Sequence, residues 1–127
     1  AANREPVHAV DTFSGSVEHG KGQFAESATL MAEGTTYHAF ERNITGLGLS
    51  DRVRAIRKSS LEAAAEWEGP IRLLFIDGSH DFASVAADFQ AWCGHVAPGG
   101  FIAMHDYGHS PDVVKFCDEV VKPMPEY

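Results

Sequence analysis

The sequence has little positive charge, few cysteines and no long apolar run. Its 127 residues include 10 Lys and Arg against 18 Asp and Glu, which gives a formal net charge of −8. Because an acidic surface repels phosphate backbones, we expect no nucleic-acid partner. No apolar run approaches the roughly 20 residues that a membrane helix needs, and the N-terminal segment lacks the apolar core of a secretory signal. We therefore expect a cytoplasmic protein with no membrane partner.

The two cysteines, Cys93 and Cys117, do not form a disulfide framework, and their spacing is not that of a zinc-ligand pair. Both fall within helical apolar patterns, which predicts buried free thiols. Reduced thiols are in keeping with a cytoplasmic location.

Short apolar runs alternate with longer segments in which apolar residues recur every three or four positions. The short runs predict strands at 7–11, 52–57, 71–76 and 101–104. The longer segments predict helices at 24–32, from about 36, from 59 to about 67, at 82–96 and from 111 to Pro123, with a sharp turn at 98–100. This alternation predicts a doubly wound, mainly parallel α/β sheet with helices on both faces, formed by one domain over residues 1–127.

Three of the predicted strands end in an acidic residue: Asp11, Asp77 and Asp106. In parallel α/β sheets, ligands bind beyond the carboxyl ends of the strands. His80 and His105 lie close by in sequence, and Asp and His together supply oxygen and imidazole ligands for a divalent cation. Each carboxylate could instead cap a helix or hold a turn. Neighbours on a strand alternate between faces, so His105 could point away from Asp106.

A second motif indicates a different chemistry. Residues 15–22 match the eight-position phosphate-binding P-loop at its first seven positions, and the apolar run ending at Asp77 resembles the strand that supports magnesium in such proteins. Gly22 stands where the P-loop requires a magnesium-binding hydroxyl. A P-loop nucleotide hydrolase is therefore an alternative, and a flexible glycine-rich loop beside an active site is the other interpretation.

Four segments carry a family resemblance: L-F-I-D-G-S-H-D-F at 74–82, P-G-G at 98–100, H-D-Y at 105–107 and V-H-A-V-D-T-F at 7–13. Together they resemble the Rossmann-like S-adenosylmethionine-dependent methyltransferases. The resemblance is closest to the branch of metal-dependent O-methyltransferases that act on sugars and small natural products. It implies an enzyme that transfers a methyl group to a hydroxyl of a small-molecule acceptor.

The resemblance also implies roles for individual residues. Asp11 would accept the ribose hydroxyls of the cofactor, and Ser60 would contact its adenine. Asp77 would lie near the sulfonium or bind the metal, Mg²⁺ or another divalent cation, with Asp106 as a second ligand. His80 would take the proton of the acceptor hydroxyl, since its unperturbed pKa is near neutrality.

Two of these residues have simpler interpretations. In the simpler interpretation, Ser60 is only part of the helix N-terminus that Ser59 opens. Ser59 and Glu62 form an S-x-x-E capping box there. His80 would be a loop residue that caps the following helix.

Parts of the family's sheet have no counterpart in the sequence. The first strand with its glycine-rich turn would precede residue 1, and the last two strands would follow residue 127. We expect a partial methyltransferase domain, inactive alone, whose unpaired strand edges favour a homo-oligomer. The alternative is a non-catalytic, self-associating fragment that binds no cofactor.

Overall fold

A computed structural model describes residues 5–15 and 32–125. The chain divides into two compact units, residues 1–63 and 64–127, and each is described by itself. The described residues form the following strands and α-helices: β1 (Val7–Val10), α1 (Tyr37–Gly46), β2 (Val53–Ile56), α2 (Ser60–Ala65), β3 (Ile71–Ile76), α3 (Phe82–Trp92), β4 (Val96–Met104) and α4 (Pro111–Phe116). The helix predicted at 24–32 lies, apart from its last residue, outside the described residues.

In the first unit, β1 and β2 pair in parallel from Val7 opposite Val53 to Val10 opposite Ile56. The buried ring of Phe13 then packs edge-on against Tyr37 at a centroid distance of 5.1 Å. The carbonyl of Phe13 accepts hydrogen bonds from Thr35 and Thr36, just before α1 begins. The loop after β1 is thereby fixed to the start of α1.

The predicted capping box opens α2. Ser59 N donates to Glu62 Oε2 at 3.0 Å, and Glu62 N donates back to Ser59 Oγ at 3.3 Å. The hydrogen bonds that Ser59 donates to the Glu62 carboxylate lower the pKa of Glu62. The helix ends at Ala65, slightly earlier than predicted.

In the second unit, β3 and β4 pair in parallel, with Ile76 opposite Met104 and an irregularity in register near Ile71. The helix predicted to reach Val96 is shorter, since α3 ends at Trp92, a 3-10 turn follows over Cys93–His95 and β4 begins at Val96, whereas the turn predicted at 98–100 coincides with the break in register. The Pro-Gly-Gly segment bulges out of the pairing, because the register passes from Val96 opposite Ile71 to Phe101 opposite Leu73, and Gly99 has φ of 78°. Gly100 permits the close approach, because a Cβ there would lie 3.1 Å from the carbonyl oxygen of Arg72.

The core of the second unit lies between the sheet, α3 and the C-terminal helix, in which α4 continues as a π-helical turn over Cys117–Val121. Phe116, 1% exposed, packs edge-on against Phe82 and Phe89 at 5.8 and 5.4 Å. Cys117 belongs to this core, and burial raises the pKa of its thiol. Cys93 is only half-buried, so the prediction of buried free thiols is met fully by Cys117 and in part by Cys93.

The strands of the described residues form two parallel pairs, β1 with β2 and β3 with β4. The α/β class and the parallel pairing are as predicted, whereas one doubly wound sheet stays a prediction. Leu74 and Ile102 pack against the helices of the second unit, and the alternate residues Leu73, Phe75 and Phe101 are exposed. Within 5–15 and 32–125, no helix is both long enough and apolar enough to cross a bilayer.

Candidate active site

The carboxyl ends of β3 and β4 meet at the same edge of their sheet because the two strands are parallel. Asp77 follows β3 directly, and His105 and Asp106 follow β4. The backbone N–H of His105 donates to the carbonyl of Ile76 at 2.9 Å, which continues the ladder past the last strand residue. The sheet itself therefore sets the distance between these acidic and imidazole side chains.

Four side chains converge at this edge: Asp77, His80, His105 and Asp106, named here the Asp/His cluster. One ligand atom from each lies within 4.8 Å of all the others. His80 Nε2 is 2.7 Å from Asp106 Oδ2. His105 Nδ1 is 2.9 Å from Asp77 Oδ1 and 2.9 Å from Asp106 Oδ2. The structure thus brings together Asp77, His80 and Asp106, as the sequence predicted.

His105 completes the cluster, although strand alternation left open a position on the opposite face. Alternation applies only while the backbone is extended, and β4 ends at Met104. Asp106 adopts a left-handed conformation with φ of 56°, so the chain turns directly after His105. Both neighbours consequently present their side chains to the same site. The sequence signals for this residue are its adjacency to Asp106 and its place in the H-D-Y segment.

The loop that carries His80 is held on both sides. Ser110 Oγ donates to the carbonyl of His80 at 3.3 Å. Asp81 caps α3 by accepting from Ser84 N at 3.0 Å, and this hydrogen bond lowers the pKa of Asp81. The helix cap is therefore Asp81 and not His80. A Cβ on Gly78 would lie 2.8 Å from Asp88 Oδ2, so this turn is tightly packed against α3.

A second network fixes the chain after Asp106. The hydroxyl of Tyr107 donates to Asp118 Oδ1 at 3.0 Å, and Lys122 Nζ donates to the same hydroxyl at 2.8 Å. Lys122 also pairs with Asp118 at 2.7 Å, and these partners raise the pKa of Lys122. The hydrogen bond from Lys122 lowers the pKa of Asp118. The segment beside the Asp/His cluster is thereby tied to the C-terminal helix.

Asp11 and Ser60 lie in the first unit. Asp11 follows β1, and its Oδ1 accepts from Phe13 N at 2.7 Å, so the carboxylate holds a turn while remaining exposed. Ser60 is the first residue of α2, directly after the capping residue Ser59. Of the P-loop-like segment 15–22, only Gly15 lies within the described residues.

The donor set of the Asp/His cluster fits a divalent cation. Two carboxylates supply negative charge and two imidazoles supply nitrogen ligands, all within the span that one ion would require. Among the described residues, this is the one cluster of such donors found. Asp77 and Asp106 would hold the ion from the two strand ends.

A parallel α/β chain with its polar cluster at the strand carboxyl ends has the arrangement of a ligand-binding α/β enzyme. A family model described as a methyltransferase domain matches residues 1–107. The chain belongs to this methyltransferase family. The matched region contains β1 to β4 and the whole Asp/His cluster.

Proposed function

We propose that this chain belongs to an S-adenosylmethionine-dependent methyltransferase that methylates a hydroxyl of a small molecule with help from a divalent cation. The observation that carries the proposal is the Asp/His cluster in a chain of the methyltransferase family. Carboxylates that hold a divalent ion beside an imidazole base are suited to activating a hydroxyl as a nucleophile.

Asp11, Ser60 and Asp77 are the residues proposed to bind the methyl donor. Asp11 is exposed after β1, with one carboxylate oxygen engaged by Phe13 N. A carboxylate in this position suits the two neighbouring hydroxyls of a ribose, as in other α/β sheets that bind adenosine groups. Asp77 would lie close to the positively charged sulfonium, where negative charge is favourable.

His80 is proposed as the proton acceptor. The acceptor oxygen attacks the methyl carbon of the sulfonium, the carbon–sulfur bond breaks, and its electron pair remains on sulfur as a neutral thioether. The hydroxyl proton passes to the imidazole of His80. Asp106, 2.7 Å away, carries the negative charge that compensates the imidazolium. A divalent cation bound to Asp77 and Asp106 would supply Lewis acidity that lowers the pKa of the acceptor hydroxyl.

Titration calorimetry tests the proposal with two ligands, S-adenosylmethionine and ATP, each with and without a divalent ion. Binding of S-adenosylmethionine supports the methyltransferase. Binding of ATP alone would instead favour a P-loop nucleotide hydrolase, and binding of neither would favour a self-associating fragment without a cofactor. Both of these outcomes contradict the proposal.

We further propose that the chain forms a homo-oligomer through its open strand edges. Each sheet in the described part of the chain has two strands, so every strand has one edge without a partner there. The exposed residues Leu73, Phe75 and Phe101 add apolar area on one face of the sheet formed by β3 and β4. Sedimentation velocity over a concentration series should show a dimer or larger species, and a monomer at all concentrations would contradict this proposal.

A further inference from the structure

We propose that His105 is the third protein ligand of the divalent ion, and that its imidazole makes the site select an imidazole-preferring ion such as Zn²⁺ or Co²⁺ over Mg²⁺. The inference deepens the proposed function, because it assigns a ligand and a metal class to the same site. It depends on the geometry of His105 relative to Asp77 and Asp106.

The Nδ1 atom of His105 lies between the two carboxylates. It is 2.9 Å from Asp77 Oδ1 and 2.9 Å from Asp106 Oδ2. Two ligand atoms each ~2.1 Å from an ion are about 3.0 Å apart at the right angle of octahedral coordination and about 3.4 Å apart at the tetrahedral angle. Nδ1 therefore lies about as close to each carboxylate oxygen as one octahedral ligand lies to its neighbour.

The His105 ring is also held in place by its surroundings. Its backbone N–H is bonded to Ile76, and its ring meets that of Phe75 edge-on at 5.8 Å. The next residue, Asp106, is in a left-handed turn, and Tyr107 is anchored to the C-terminal helix. A ligand whose ring is oriented in advance loses little freedom when an ion binds, which favours coordination.

The choice of ion follows from the chemistry of the three donors. Mg²⁺ prefers oxygen ligands and gives up its water reluctantly, whereas imidazole suits Zn²⁺ and neighbouring transition metals. Two carboxylates balance the charge of the ion, and the single imidazole shifts the preference from Mg²⁺ toward Zn²⁺. Three protein ligands leave coordination positions open, as a catalytic site requires. His80 contacts Asp106 and is not required as a ligand.

Titration of metal-free protein with Zn²⁺, Co²⁺ and Mg²⁺ separately tests the inference. We expect one site per chain that binds Zn²⁺ roughly a hundredfold or more tightly than Mg²⁺. His105→Ala should weaken Zn²⁺ binding at least about tenfold and change Mg²⁺ binding little. His109→Ala is the matched control, since His109 is exposed in the same loop and lies outside the cluster.

A second variant covers the case in which His105→Ala perturbs the loop. His105→Asp replaces nitrogen by oxygen at the same position and should move the preference from Zn²⁺ toward Mg²⁺. Ring nitrogen resonances give a residue-specific readout, because Zn²⁺ should shift those of His105 and leave those of His109 in place. Equal affinity for Zn²⁺ and Mg²⁺, or unchanged Zn²⁺ binding in both variants, would overturn the inference, as would no metal binding at all.

The proposed function is tested separately by titrating the same protein with S-adenosylmethionine. Zn²⁺ selectivity without binding of the methyl donor would contradict the methyltransferase proposal and leave His105 as a ligand. Binding of the methyl donor with no preference between Zn²⁺ and Mg²⁺ would support the methyltransferase proposal and overturn the inference about His105.

Discussion

His80 and Asp106 lie 2.7 Å apart, from Nε2 to Oδ2, although they follow different strands of the sheet. The contact exists because β3 and β4 are parallel and end at the same edge. It joins the proposed proton acceptor to a proposed metal ligand. A carboxylate so placed can orient the imidazole and compensate the charge that it gains.

Replacement of the proposed base should affect methyl transfer more than binding. In the methyltransferase that contains this chain, we expect His80→Ala to lower the turnover number by about 10²–10⁴-fold, the usual contribution of a general base. The affinity for S-adenosylmethionine should change little, because the proton is taken from the acceptor. Formation of the demethylated cofactor with a panel of hydroxylated acceptors measures the rate. Equal losses in the control His109→Ala would show that the effect is not specific to the His80 imidazole.

Loss of the carboxylate at Asp11 should weaken binding of the methyl donor. Asp11→Asn keeps an oxygen that can accept from Phe13 N, so the turn after β1 should persist. The amide lacks the charge that favours two ribose hydroxyls, and we expect a loss of affinity of at least about tenfold, since hydrogen bonds to charged groups are worth roughly 1.5–3 kcal/mol. Calorimetry measures the affinity, with Asp51→Asn as an exposed control in the same unit. Unchanged binding in Asp11→Asn would remove Asp11 from the cofactor site.

The close approach of β4 to β3 at Gly100 predicts a loss of stability on substitution. A Cβ there would lie 2.8 Å from Val96 Cγ1, 2.9 Å from the carbonyl of Ala97 and 3.1 Å from that of Arg72. Two of these neighbours are backbone and cannot move aside freely. We expect Gly100→Ala to lower the free energy of unfolding by about 1–3 kcal/mol.

Chemical denaturation of Gly100→Ala and Gly94→Ala provides the comparison. A Cβ on Gly94 meets no atom within 4 Å, and its φ is not in the left-handed region. The control should therefore unfold close to the original protein. Similar denaturation midpoints for the two variants would mean that β3 and β4 accommodate a Cβ at position 100 without loss of stability.

The sequence predicted most accurately those features that depend on neighbouring residues. The bounds of β3 and the cap formed by Ser59 follow from local apolar pattern and side-chain hydrogen bonding. The start of β4 at Val96 depends on pairing with a distant strand, which local pattern does not encode. His105 depends on where the strand stops, because one left-handed residue after it cancels the alternation. The direction of a side chain just beyond a strand end is therefore less predictable than that of a side chain within the strand.

The N-cap of α3 predicts a pH-dependent stability. The hydrogen bond from Ser84 lowers the pKa of Asp81 in the folded chain below its ordinary value. A depressed pKa stabilises the fold above the ordinary value, and this contribution is lost as the pH falls through the folded value. We expect Asp81→Ala to be less stable than the original protein at pH 7, with the difference shrinking below about pH 4.

Asp81→Asn separates the hydrogen bond from the charge, because asparagine also accepts from the backbone at an N-cap. This variant should keep most of the stability at pH 7 and lose part of the dependence on acid. Urea midpoints at pH 7 and pH 3 measure both effects, and Glu119→Gln, an exposed carboxylate of the same unit, serves as the control. If Asp81→Ala were as stable as the original protein at pH 7, the Asp81 cap would contribute nothing to the stability of the fold. The loop that carries His80 would then be held chiefly by Ser110 and by the hydrogen bond from Phe82 N to Asp112.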